Sequence, residues 1–183
     1  MKNKVLAMLA FMVVFTACEK DEDEVTQPVD DHEEELITTV QLTFVGPDQG
    51  QMISQFRFAD PDGEGGNAPT EHDTIVLQAG ASYTASIEFF NESETPIEDV
   101  TEEIEEEADG HLVCYDATVS DLTITKDDSD GTYPIGLATT WAHTGSAGTG
   151  AVTVTLKHQP GEKDGTCAPG ETDVEVTFVL RYE

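Results

Sequence analysis

From residue 36 onward, apolar side chains return at every second position. Val40, Leu42 and Phe44 alternate with Gln41 and Thr43; Phe56 and Phe58 flank Arg57; Ile75 and Leu77 flank Val76. Tyr83, Ala85, Ile87 and Phe89 alternate with Thr84, Ser86 and Glu88, and Leu122 with Ile124 continues the pattern. Leu137, Thr139 and Trp141, then Val152, Val154 and Leu156, then Val174, Val176, Phe178 and Leu180 complete the set. Successive side chains of a strand point to opposite faces, so this period puts one face in a core and the other in water. Gly, Asp, Asn and Pro fall between the segments at short intervals, the spacing of a sandwich or barrel and not of βαβ units. The many threonines suit half-solvated sheets. Residues 36–183 therefore predict one all-β domain: an antiparallel β-sandwich of immunoglobulin-like shape with eight or nine strands.

One segment departs from period two. Ile97, Val100, Ile104 and Ala108 recur at spacings of three and four, which places them on one face of a helix. Thr95 is the expected N-cap, Pro96 the first helical residue and Glu98 the closing member of a capping box. Gly110 supplies the stop. The expectation is a short amphipathic helix of about three turns lying across the sandwich. Glu105, Glu106, Glu107 and Asp109 crowd its carboxyl end, where the helix dipole disfavours negative charge.

The amino-terminal residues do not belong to this domain. Lys2 and Lys4 precede an apolar run from Val5 to Phe15, followed by Thr16, Ala17 and Cys18. Two lysines, an apolar stretch short of the ~20 residues that cross a bilayer, and small residues at its end read as a secretory signal over residues 1–17. Thr16-Ala17-Cys18 resembles the lipobox of bacterial lipoproteins, which implies cleavage before Cys18 and acylation of its thiol. Residues 18–35 hold ten acids and one lysine, with almost nothing to bury, so they are expected to form a disordered tether. Glu19-Lys20-Asp21-Glu22-Asp23-Glu24 resembles the acidic export signal of surface-exposed lipoproteins of the Bacteroidota.

With Cys18 assigned to lipid, Cys114 and Cys167 remain of the three cysteines. Export to an oxidising compartment permits a disulfide between them, and two separate thiols are the alternative. Charge narrows the partners. With 38 acidic against 8 basic residues the formal charge is −30. Nucleic acid is excluded as a direct partner, because its phosphates need clustered Lys and Arg. The same field favours cations and basic protein surfaces and keeps the chain soluble as a monomer.

The strongest local motif is Asp60-Pro-Asp62-Gly-Glu64-Gly65, with Glu71 beyond it. Alternate oxygen ligands, a glycine for the sharp turn and a distal carboxylate can wrap a hard cation, so Asp60, Asp62, Glu64 and Glu71 are candidate ligands for Ca2+. Glu64 in place of Asp or Asn, Asn67 in place of an apolar residue, and strand-like flanks set the loop apart from an EF-hand. A metal-free Gly- and Asp-rich turn needs the same residues. Asp127-Asp128-Ser129-Asp130-Gly131 is a second acidic turn, closer to ordinary hairpin chemistry. His111 opens a strand after the helix and His158 ends one at the rim; either joins a transition-metal site only if the fold brings them together, and a structural role is the simpler expectation. There is no HExxH, no P-loop and no GxSxG, so no catalytic residues are assigned, and a hydrolase has only scattered acids behind it.

Several stretches together resemble a group of small acidic lipoproteins of the Bacteroidota. They are the acidic run after Cys18, Ile37-Thr-Thr-Val40, Asp60-Pro-Asp62-Gly, and Asn91-Glu-Ser-Glu-Thr-Pro96 leading to Glu102-Glu-Ile-Glu-Glu-Glu107. Leu156-Lys-His158-Gln-Pro160 and Glu171-Thr-Asp173-Val-Glu-Val-Thr-Phe178 complete the match. The group's activity is uncharacterised, so the resemblance carries over no site residues; the acidic tether, the sandwich and the missing catalytic motifs lead to the expectation of a non-enzymatic module anchored to the outer membrane through its lipid and facing the cell exterior. An outer-membrane transporter or a basic protein is the kind of partner expected of such an acidic surface module.

Overall fold

The computed structural model describes residues 36–46, 53–63 and 65–183. The signal expected over 1–17, the tether expected over 18–35 with Cys18, and Glu64 lie outside these residues. Two β-sheets carry the domain, joined by one short helix. The larger has seven strands. Its main path runs from β3 (Glu71–His72) through β2 (Ile53–Ala59), β1 (Thr39–Val45), β5 (Ser82–Asn91) and β9 (Ala138–His143) to β8 (Leu122–Lys126). Its seventh member, β6 (Glu98–Asp99), pairs with the end of β5. The smaller sheet has four strands in the order β4 (Thr74–Leu77), β11 (Glu171–Tyr182), β10 (Gly148–His158) and β7 (His111–Ala117).

The alternation read from the sequence is the burial pattern of the strands. Val40, Leu42 and Phe44 of β1 and Tyr83, Ala85, Ile87 and Phe89 of β5 are buried, as are Val152, Val154 and Leu156 of β10 and Val176, Phe178 and Leu180 of β11. These faces belong to one core. Phe44 sits edge-on to Trp141 with ring centroids 5.0 Å apart, and Trp141 donates its Nε1–H to Thr139 Oγ1 at 2.9 Å. The indole is thus buried with its one polar group satisfied. Nine strands of four residues or more correspond to the segments expected; β3 and β6, two residues each, are additions too short to show a period. Antiparallel pairing holds throughout except between β4 and β11, which run parallel.

The helix is shorter than its apolar spacing predicts. α1 spans Val100–Glu106 and its N-cap is Asp99, whose carboxylate accepts from the Thr101 N–H at 3.1 Å. The expected start at Thr95–Pro96 is displaced for a structural reason. Glu98 and Asp99 are still extended and pair with Asn91 and Phe90, and Asn91 Nδ2 donates to Glu98 Oε2 at 3.0 Å. The Thr95–Pro96 bond is cis, and Ile97 faces solvent. Val100 and Ile104 keep their buried places, and Ala108 packs against the core beyond the helix end.

The crossing from β8 to β9 is built on two carboxylates. Asp128 Oδ1 accepts from Gly136 N–H, and Oδ2 accepts from Leu137 and Ala138 N–H, at 2.7–3.0 Å. Asp130 Oδ1 accepts from Thr132 and Tyr133 N–H at 2.7 and 2.8 Å. Gly136 has a φ of 95°, and a Cβ there would lie 2.7 Å from the Val113 carbonyl oxygen. Only glycine lets this loop lie so close to β7.

Candidate functional site

The 60–71 loop is closed at its base by the Thr70 N–H, which donates to the Ala59 carbonyl at 2.8 Å. Within it Gly63 N–H donates to the Asp60 carbonyl, making a tight turn with Gly63 at a φ of 74°. Asp62 Oδ2 accepts from both the backbone N–H and the Nδ2 of Asn67, at 2.8 and 2.6 Å. These bonds hold the Asp62 carboxyl below the usual carboxylate range. Burial pushes the Asp60 carboxyl up, helped by a hydrogen bond with Asp62 and by its charge, and Asp60 Oδ1 is buried with no hydrogen-bond partner. The fold therefore brings Asp60 and Asp62 together. Glu71 stands elsewhere, on β3, 3.5 Å from the Arg57 guanidinium, which also pairs with Glu92.

The second acidic turn puts its charge to structural use. Asp128 serves three backbone N–H groups, and Asp130 Oδ2 meets Lys163 Nζ at 2.8 Å. Lys163 also donates to the Ala108 carbonyl at 2.6 Å, so one ammonium ties the 159–170 loop to the end of α1 and to the β8–β9 crossing. Both side chains of the ion pair are buried, 3% and 7% exposed. The Lys163 ammonium and the two N–H donors hold the Asp130 carboxyl down at about 2.

Cys114 and Cys167 are joined in a disulfide that links the middle of β7 to the same loop. Gln159 organises that loop from within. Its Nε2 donates to the Thr166 and Pro169 carbonyls, and its own carbonyl accepts from Glu162 and Lys163 N–H.

The two rim histidines come together. His111 and His158 are the last register pair of β7 and β10, and their rings stack with centroids 4.9 Å apart and planes 4° from parallel. Both are buried, His111 fully. Burial pushes the His111 imidazole below its ordinary value, against a raising contribution from the Glu107 carbonyl. Glu107 joins the pair: it, His111 and His158 each offer a ligand atom, and the three atoms lie within 4.8 Å of one another. Sequence reasoning named both histidines but missed Glu107, whose signal is its place four residues before His111. The other two described histidines are spent on packing and hydrogen bonding. His143 stacks on Tyr182 and accepts from the Gly80 N–H at Nδ1, and His72 bonds to the Thr177 carbonyl.

Among the described residues no helix is long and apolar enough to cross a membrane. Compared with family models, curated proteins and solved structures, the chain matches none.

Proposed function

We propose that this chain is a lipid-anchored, non-enzymatic binding or accessory module of the outer membrane, held at the cell exterior by an acylated Cys18. The observation that carries the reading is the order of the first two dozen residues: basic Lys2 and Lys4, the apolar run Val5–Phe15, Thr16-Ala17-Cys18, then the acids from Glu19 to Glu24. Each buried methylene of an acyl chain contributes about 0.8 kcal/mol, so two or more chains hold a soluble body firmly. The tether then sets how far the sandwich can reach. A non-catalytic role is supported by how the turn carboxylates are used, since Asp62, Asp128 and Asp130 are committed to backbone and side-chain donors. With so strong a negative field, an outer-membrane transporter presenting a basic surface is the partner class favoured.

Mass spectrometry of the mature chain tests the anchor: the reading expects a polypeptide beginning at Cys18 and carrying fatty acyl groups. A chain that keeps its leader, or that is cut without acylation, defeats it. For orientation, deleting residues 19–24 is expected to protect the protein from protease added to whole cells; unchanged accessibility rejects the surface assignment.

A second reading is favoured by the buried, unpartnered Oδ1 of Asp60 beside Asp62. A calcium ion in the 60–71 loop would supply that oxygen with a partner, with Asp60 and Asp62 as the candidate ligands that the fold brings together. Calorimetry with Ca2+ on the wild type and on an Asp60→Ala, Asp62→Ala variant decides it; no saturable heat in the wild type discards the reading.

A further inference from the structure

At the rim of the four-stranded sheet, three donors converge, two imidazoles and a carboxylate. Directly opposed residues of an antiparallel ladder hold their Cβ atoms about 4.5–5.5 Å apart, so the register pairing of His111 with His158 sets their rings side by side. The turn after α1 then delivers Glu107 to the same point.

The hydrogen bonding of His111 fixes its chemistry. Its Nδ1 lies 3.1 Å from the Glu107 carbonyl oxygen, which can only accept, so Nδ1 carries the proton and Nε2 keeps a lone pair. That Nε2 is buried and has no hydrogen-bond partner. A buried polar atom left in this way loses its water without replacement, which disfavours the arrangement unless something else binds there. A backbone carbonyl on one ring nitrogen and a bare lone pair on the other is how proteins orient an imidazole toward a metal.

We infer that Glu107, His111 and His158 form a binding site for a divalent transition ion of the Zn2+ type. Two imidazoles and a carboxylate suit Zn2+, Ni2+ or Cu2+, whereas Ca2+ and Mg2+ take oxygen ligands. At Zn–N bonds of about 2.0–2.1 Å, tetrahedral ligands stand about 3.4 Å apart. The donors, at most 4.8 Å apart, must therefore close by roughly 1.4 Å at the widest. Glu107 is exposed and can swing, so its carboxylate can adjust to an ion held by the two imidazoles. A cleft of about 270 Å³ opens onto Glu107 and His158 and leaves room for a fourth, exogenous ligand.

The charge around the site fits a cation. Glu106, Glu107 and Asp109 line the cleft, and no basic residue occupies the last turn of α1. These acids are misplaced with respect to the helix dipole, and a dication beside them turns repulsion into attraction. Lys163, the nearby ammonium, is already matched by Asp130.

This inference goes beyond the anchoring role, and its test does not depend on acylation. The full chain, purified in detergent and stripped with chelator, is titrated with Zn2+ by calorimetry beside Glu107→Gln and His158→Gln variants. The wild type is expected to show one saturable site above the diffuse background of the acidic segments. Glu107→Gln should weaken it at least about tenfold, since even partners outside the metal's own ligands contribute 10–100-fold, and His158→Gln should abolish it. Zn2+ at a hundredfold excess over Kd is expected to raise Tm by about 8 °C. Ring-nitrogen NMR signals of His111 and His158 should move together on binding. No saturable site in the wild type overturns the inference, as does a site equally tight in both variants. Should His158→Gln not fold, the solvent-exposed Glu107→Gln decides alone.

Discussion

Breaking the bridge between Cys114 and Cys167 is a demanding test of how this sandwich holds together. The two residues are 53 apart in sequence, and the second half of β7 with all of β8, β9 and β10 lies between them. On the chain-entropy account, cross-linking a loop of that length removes about 14 cal/mol/K from the unfolded ensemble, or about 4 kcal/mol at 25 °C. The folded state should change little, because β7 and β10 are independently paired over seven residues and Gln159 holds the 160–170 loop from inside. Unfolding entropy for a domain of roughly 150 residues is about 0.3 kcal/mol/K, so the predicted loss corresponds to about 13 °C in Tm. Urea denaturation of the Cys114→Ala, Cys167→Ala variant should show a loss near 4 kcal/mol. The m-value should rise as well, because the uncrosslinked chain exposes more surface when unfolded. A loss under 1 kcal/mol with an unchanged m-value refutes the reasoning.

Three further outcomes follow from the connections around that loop. Asp130→Asn leaves the Lys163 ammonium buried beside a neutral partner and should destabilise by about 3–5 kcal/mol in urea denaturation. In the wild type the Asp130 carboxyl is depressed to about 2 from its ordinary 3.8, so its contribution is complete above about pH 4 and is lost as pH falls through 2. Acid titration followed by circular dichroism should accordingly show a shallower pH dependence between 4 and 2 in the variant. Asp128→Ala strips three backbone N–H groups of their acceptor and should cost about 2–3 kcal/mol, with an unchanged m-value. Gly170→Ala places a Cβ against the His158 carbonyl oxygen at a φ of 77°; more than 1 kcal/mol should be lost, with the NMR signals of the His111–His158 stack displaced.

The alternation of residues such as Val152, Val154 and Leu156 made the long strands and their inner faces readable, because burial on one face imposes a period of two wherever a strand exceeds a few residues. Pairing is a different matter. Nothing local in Thr74–Leu77 distinguishes a parallel partner from an antiparallel one, and β3 and β6 are too short for any period. The helix start misled because Thr95, Pro96 and Glu98 carry a sound capping signal that the pairing of Glu98 and Asp99 with β5 overrides. His111 and His158 were each recognisable as strand ends, yet their meeting depends on register across 46 residues of intervening chain, which no short motif encodes. Glu107 could be found only once that meeting was known.

The position of β11 has a consequence for how the molecule is made. Residues 171–182 form an interior member of the smaller sheet, bonded to β10 on one side and to β4, about a hundred residues earlier, on the other. Until that segment is synthesised, Ile75 and Leu77 have no strand beside them, and β10 is paired on one edge only, with β7. Folding of this layer must therefore wait for residues 171–182, and pairings so distant in sequence form slowly. Until those residues are in place, a chain of this topology carries bare apolar strands and is open to aggregation.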